Sequence, residues 1–132
     1  MANGQPLAIP PDARLTLTTL GRASLSWTPA EGSPTVLLGP GKPLALITYL
    51  AFSPRRTASR DYLVGLLWAD SEPDRALHAM RQAVWQIRHA VGEQMLVTRG
   101  GGLALEGSVE TDRDAFLAAV EAGDVERAVA LY

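Results

Sequence analysis

The sequence predicts an α+β domain: short N-terminal strands, three helices, a β-hairpin, and then a short helical segment. Three observations predict it. Apolar residues alternate between Leu15 and Trp27, the period of strands with one buried face. Between Lys42 and Gly92 the apolar period becomes helical, and the stretch is divided by Pro54 and Pro73. After Gly92, the segments Met95–Arg99 and Leu103–Glu106 flank glycines 100–102, the pattern of a hairpin with a glycine tip.

Residues 1–13 hold three prolines and no period, and read as a disordered tail. Leu15, Leu17 and Leu20, then Leu25 and Trp27 after the Gly21 break, read as paired strands. Thr28–Pro34 has turn composition, and Thr35–Leu38 is a further short strand closed by Gly39-Pro40-Gly41. Pro43 suits a first helical turn. Leu44, Ile47, Leu50 and Ala51 extend that helix to about Ser53, where Pro54 ends it. Ser59 is an N-cap with Asp61 in the first turn, and Tyr62, Leu63, Leu66 and Leu67 carry the second helix through Trp68. Ser71-Glu72-Pro73-Asp74 has the form of a capping box for a third helix over Asp74–Val91, stopped by Gly92. Thr111-x-x-Asp114 is another cap, leading into Phe116, Leu117 and Val120. Gly123 breaks that helix, and Val125, Ala128, Val129 and Tyr132 begin one more.

A chain of 132 residues, 47% apolar and 20% charged, can bury a core without staples. It has no cysteine, which excludes disulfides, cysteine-based zinc sites and thiol catalysis, and fits a reducing, cytoplasmic setting. The longest apolar run, Leu44–Phe52, is far below the roughly 20 residues that span a bilayer. The N-terminus lacks a signal-peptide pattern, so no membrane partner is expected. The net charge of −2 is unevenly placed. Residues 1–41 are neutral, residues 42–92 carry seven Lys/Arg against four acids, and residues 93–132 carry three Arg against eight acids. A basic middle and an acidic tail suggest a local electrostatic footprint and a separate role for the tail.

Along the third helix, at about 100° per residue, Leu77, Met80, Val84, Ile87 and Val91 form one apolar stripe and define the core face. Arg75, His78, Gln82, Trp85, Gln86 and His89 cluster opposite, with Arg81 and Arg88 on one flank. This outer face has no acid after Asp74, whereas an ordinary solvated face mixes signs. It also exposes Trp85, a large apolar group that usually needs a partner. Arg, Gln and His bond base edges and phosphates, and a helix fits the major groove of duplex DNA. Gly39-Pro40-Gly41-Lys42 is not a phosphate-binding loop, since Pro43 stands where Ser or Thr is needed. Gly100–Gly102 lacks the βαβ unit of a dinucleotide site. His78 and His89 lie about 16 Å apart along the helix axis and cannot share a metal. With no catalytic constellation, no metal site and no cofactor motif, an enzyme is not expected.

Strands, three helices and a hairpin make the order of a winged helix, and the wording is more specific. The stretch from Gly41 to Gly92 resembles the DNA-binding domain of the antibiotic-regulatory-protein (SARP) activators, which are related to the response-regulator type of winged helix. Leu44–Ala51 matches the family's "LLALLA"-like helix, and Ser59–Trp68 matches "xSRExLxxLLW". Asp70 and Pro73 match the acid and proline that follow, and Met80–Gly92 matches "LRxALSRLRRALG". Gly102–Leu105 stands for the end of the wing near "GYRL". Val109, Asp112 and Phe116 stand for the "VDxDxF" step that opens the family's helical bacterial transcriptional activator domain. Two features depart: Trp85 and Gln86 replace the usual Ser-Arg, and His89 replaces the second Arg of the "RR" pair, removing two positive charges.

The resemblance covers about Leu15–Tyr132 and implies a sequence-specific, DNA-binding transcription regulator, an activator in this family. It implies a winged-helix domain over residues 14–107, with the third helix (74–91) in the major groove and the hairpin (95–106) as the wing. Residues 108–132 would be the truncated start of the helical activator domain. Arg75, His78, Arg81, Gln82, Trp85, Gln86, Arg88 and His89 would meet the groove or its rim. Lys42, Arg60, Thr98 and Arg99 would be phosphate or minor-groove contacts, and Arg55 and Arg56 lie where they could also meet the backbone. In related winged helices the loop matched by Ala69–Asp74 touches RNA polymerase. The family binds as more than one copy, which makes a homodimer a candidate state. The alternative reading is a winged helix used for protein association, with Trp85 at the interface and the depleted charge and acidic tail favouring it.

Overall fold

The computed structural model describes residues 9–10, 13–20, 22–124, 126 and 129–130. The tail expected before Arg14 lies mostly outside these residues, but Ile9 packs against the core and Ala13 is buried. The expected last helix at Val125, Ala128 and Tyr132 and the side chain of Phe116 also lie outside the description.

The alternation between Leu15 and Trp27 becomes two antiparallel strands, β1 (Arg14–Thr18) and β2 (Ser24–Trp27), with Leu15 opposite Trp27 and Leu17 opposite Leu25. Strand β3 (Thr35–Leu38) joins β2 antiparallel, with a register shift at Leu25/Ser26. Leu15, Leu17 and Leu25 are fully buried, so one face of this sheet is core.

Three helices follow. Helix α1 (Lys42–Ala51) starts at Gly41 and Pro43 and buries Leu44, Leu46, Ile47 and Leu50. A 3-10 turn at Pro54–Arg56 and a short strand, β4 (Thr57–Ser59), lead to α2 (Arg60–Leu67). The Ser59 hydroxyl accepts the Tyr62 N–H at 3.1 Å, the expected N-cap. Helix α3 (Pro73–Val91) is the longest, and Gly92 ends it with φ 94°. The expected capping box is not formed. Glu72 is the N-cap residue and makes no side-chain cap bond. Ser71 instead belongs to the turn that closes α2, its N–H donating to the Trp68 carbonyl at 3.1 Å. Pro73 at the first helical position, with no N–H to satisfy, and Asp74 in the first turn start the helix without a box.

The hairpin is β5 (Leu96–Arg99) and β6 (Gly102–Leu105). Gly100 (φ 53°) and Gly101 (φ 76°) form its two-residue tip, both in the left-handed region that such loops need. Strand β4 pairs antiparallel with β6, giving the order β4-β6-β5. A Cβ on Gly102 would stand 2.4 Å from the Ala58 carbonyl oxygen, so only glycine allows this approach.

The chain then returns to the first sheet. Strand β7 (Ser108–Thr111) lies parallel to β1, giving the order β3-β2-β1-β7. Helix α4 (Asp112–Glu121) follows, and the Thr111 hydroxyl accepts the Asp114 N–H at 3.0 Å, the cap read from the sequence. The Asp112 carboxylate accepts the backbone N–H of Thr19 (2.8 Å) and of Leu20 (2.7 Å) and the Thr19 hydroxyl (3.0 Å). Residues 108–112, where a separate helical unit was expected to begin, are thus tied by pairing and by Asp112 to the N-terminal sheet. Among the described residues, one apolar cluster joins the sheet (Leu15, Leu17, Leu25), the helices (Ile47, Leu63, Met80, Ile87) and the hairpin (Leu96, Leu103).

Candidate nucleic-acid interface

Helix α3 buries Ala76, Met80, Ala83, Val84, Ile87 and Val91 against α1, α2, β3 and β5. At about 100° per residue this stripe is centred between Met80 and Ile87. Leu77, expected in the stripe, lies near its edge and is 37% exposed. Ala76 and Ala83, outside the expected stripe, are buried on its other side.

About 180° from the buried centre, the outer face presents His78, Gln82, Trp85 and His89, all exposed. Arg81 lies on one flank, and Arg75 and Gln86 on the other, also exposed. Among the described residues, none of these seven side chains makes a hydrogen bond or ion pair within the chain. Trp85, 64% exposed, stacks on His89 one turn later, with ring centroids 4.8 Å apart and an angle of 10° between planes. The stack leaves much of the tryptophan ring to solvent.

The other expected contacts are placed differently. Arg88 is half-buried, and its Nε–H donates to the Leu96 carbonyl at 3.0 Å, tying α3 to β5. Arg60 donates to the Thr98 hydroxyl at 3.1 Å, which brings these two residues together near the tip of the hairpin. Arg99 pairs with Glu106 across the hairpin. Lys42 donates to the Leu67 carbonyl, putting a cation at the carbonyl end of α2, and its Nζ lies 6.0 Å from the centre of the Trp68 ring. Arg56 donates to the carbonyls of Gly107 (3.1 Å) and Val109 (3.2 Å), clamping the turn before β7. Of the lysines and arginines read as candidate contacts, Arg55, Arg75 and Arg81 alone have no partner among the described residues.

Sequence reading missed β4, β7 and an apolar groove of about 640 Å³ along α1, lined in part by Leu44, Tyr49, Phe52, Leu66 and Leu67. Beside it, Tyr49 and Tyr62 lie 5.6 Å apart, and the hydrogen bond to Tyr49 raises the Tyr62 phenol above its usual value of 10.0. Among the described residues there is no cluster of metal-ligating side chains and no helix long and apolar enough to cross a membrane.

A helical trio, a hairpin after the third helix and a strand sheet before the first define the winged-helix class. The match to a solved structure agrees. The chain superposes with a TM-score of 0.61 on a chain of Mycobacterium tuberculosis EmbR, solved in complex with a low-affinity phosphopeptide. That match covers 90% of this chain and 34% of EmbR at 24% identity, and so speaks for the fold. In sequence, the chain is 33% identical over 85 residues to the regulatory protein AfsR of Streptomyces griseus, covering 64% of this chain. It is 32% identical over 76 residues to the regulatory protein AfsR of Streptomyces coelicolor, covering 58%. The matched stretch spans 8% of each of these curated relatives. No family model matches the chain. Similarity and fold together bear out the resemblance to the SARP-type regulators, and the relatives found are regulatory proteins rather than enzymes.

Proposed function

We propose that the chain is the DNA-binding part of a transcription activator. In this reading α3 lies in the major groove with its outer face on the bases, and the β5–β6 hairpin lies against the neighbouring backbone. The observation that carries it is the row of exposed side chains on α3 with no hydrogen bond or ion pair within the chain, among which the arginines and glutamines are types that bond bases or phosphates. Arg75 and Arg81 on the flanks suit phosphates at the groove's rim. Residues 14–107, with β7 paired to β1, form the reading unit, and α4 begins the helical activator region. Activation runs through Ala69–Asp74, whose acids Asp70, Glu72 and Asp74 are exposed, toward RNA polymerase, and two copies bind adjacent sites.

With four of the basic side chains named as contacts (Lys42, Arg60, Arg88 and Arg99) bonded within the chain, few phosphates are neutralised. Fluorescence polarisation with a labelled duplex from the protein's own upstream region tests this. Binding should appear at low salt and fall with a log–log slope of about −2 to −4, for about two to four phosphates, and Arg81→Ala should make the slope shallower by about one. Absence of binding to cognate and random duplex alike would remove the DNA reading. The exposed Trp85 favours a second reading, a protein-association surface, and in that case association would change little with salt and be lost in Trp85→Ala.

A further inference from the structure

The centre line of α3's outer face, His78, Gln82, Trp85 and His89, holds no lysine or arginine. The arginines of the helix lie elsewhere: Arg75 and Arg81 on the flanks, and Arg88 bonded to the Leu96 carbonyl. Guanine is read through O6 and N7 by a centrally placed arginine or lysine. This face offers instead an amide and a flat apolar slab. A glutamine amide matches adenine, with Oε1 accepting from the N6 amino group and Nε2 donating to N7. A thymine presents its C5-methyl to an apolar surface. The Trp85–His89 stack, 4.8 Å between centroids and nearly parallel, presents such a surface through its tryptophan. Gln82 and Trp85 are three residues apart, about 4.5 Å along the axis, which is within reach of neighbouring base pairs about 3.4 Å apart.

We propose that α3 reads an adenine–thymine step, with the Gln82 amide on an adenine and the Trp85 ring edge on the C5-methyl of a thymine beside it. This inference rests on the DNA-binding reading and names what that site selects.

The test is selection of the 132-residue chain against a randomised duplex pool at low salt, followed by single-atom changes in the winning site. Adenine and thymine should be enriched at adjacent positions. Exchanging that thymine for deoxyuridine removes one methyl group and should weaken the wild-type chain about three- to fivefold. Exchanging that adenine for 7-deazaadenine removes the N7 acceptor and should weaken it about tenfold. Trp85→Ala should be insensitive to the first exchange, Gln82→Ala to the second, and Trp85→Phe should retain part of the methyl effect. Enrichment of guanine or cytosine at these positions, or equal losses in wild type and variants, overturns the proposal. Retention of duplex without enrichment overturns it while leaving the DNA reading intact. Failure to retain any duplex removes the DNA reading, and this proposal with it.

Discussion

At the four-stranded sheet, polar side chains close on the chain's own backbone: Asp112 accepts from Thr19 and Leu20, and Arg56 donates to Gly107 and Val109. Along the outer face of α3 they close on nothing within the chain. Both regions are rich in groups able to make charged hydrogen bonds. At the sheet, donors and acceptors meet at 2.7–3.2 Å and hold together strands far apart in sequence. On α3 the same kinds of side chain stand over water and do no work for the fold. The contrast separates residues kept for stability from residues available to a ligand, and it moves Arg88, Lys42, Arg60 and Arg99 toward the first group.

Substitutions on the two sides should therefore behave differently. Asp112→Ala leaves the Thr19 and Leu20 N–H groups without their acceptor and should destabilise by about 3 kcal/mol in urea unfolding. An unchanged midpoint would show that Asp112 is not what fixes β7 and α4 to the sheet. Gly102→Ala drives a Cβ into the Ala58 carbonyl and should cost about 2 kcal/mol through a shifted β4–β6 pairing. Trp85→Ala, on the other side of the comparison, should move stability by less than about 0.5 kcal/mol while reducing duplex affinity about tenfold. A large loss of stability there would mean that the tryptophan belongs to the fold after all. The smallest effect is expected at Arg55, which is exposed and held at φ 58°. Arg55→Gly relieves a left-handed conformation that L-residues adopt at a cost of about 1–2 kcal/mol, partly offset by glycine's freedom when unfolded. The net should be about 0.5 kcal/mol of added stability in thermal unfolding.

The contrast also shows what could be read from the sequence. The three helices, the glycine tip and the Ser59 and Thr111 caps were legible because each rests on local chemistry: a period, a proline, a hydroxyl three residues before an N–H. The outer face of α3 was legible for the same reason, since a helix's period assigns its faces. What was not legible depends on partners distant in the chain. Strand β7 is four residues whose meaning comes from β1, some ninety positions earlier. Strand β4 is three residues long and exists because β6 lies beside it. Nothing local marks Arg56 as a clamp on Gly107, or Arg88 as a tie to Leu96, because an arginine on a surface pattern looks the same whether its guanidinium meets water or a carbonyl. Leu77 sits at one edge of the five-residue apolar stripe, whose own centre is near Val91. The buried residues centre about 30° further round, between Met80 and Ile87, because Ala76 and Ala83 are also buried, and this leaves Leu77 about 70° off.

The central claim is that the outer face of α3 is where duplex DNA binds, and backbone amide chemical-shift mapping tests it most directly. On titration with a selected duplex at low salt, the largest shifts should fall on His78–His89 and on the hairpin tip at Arg99–Gly101, with β1, β7 and α4 nearly still. Shifts confined to the apolar groove along α1, or spread over the four-stranded sheet while α3 stays silent, would contradict the account.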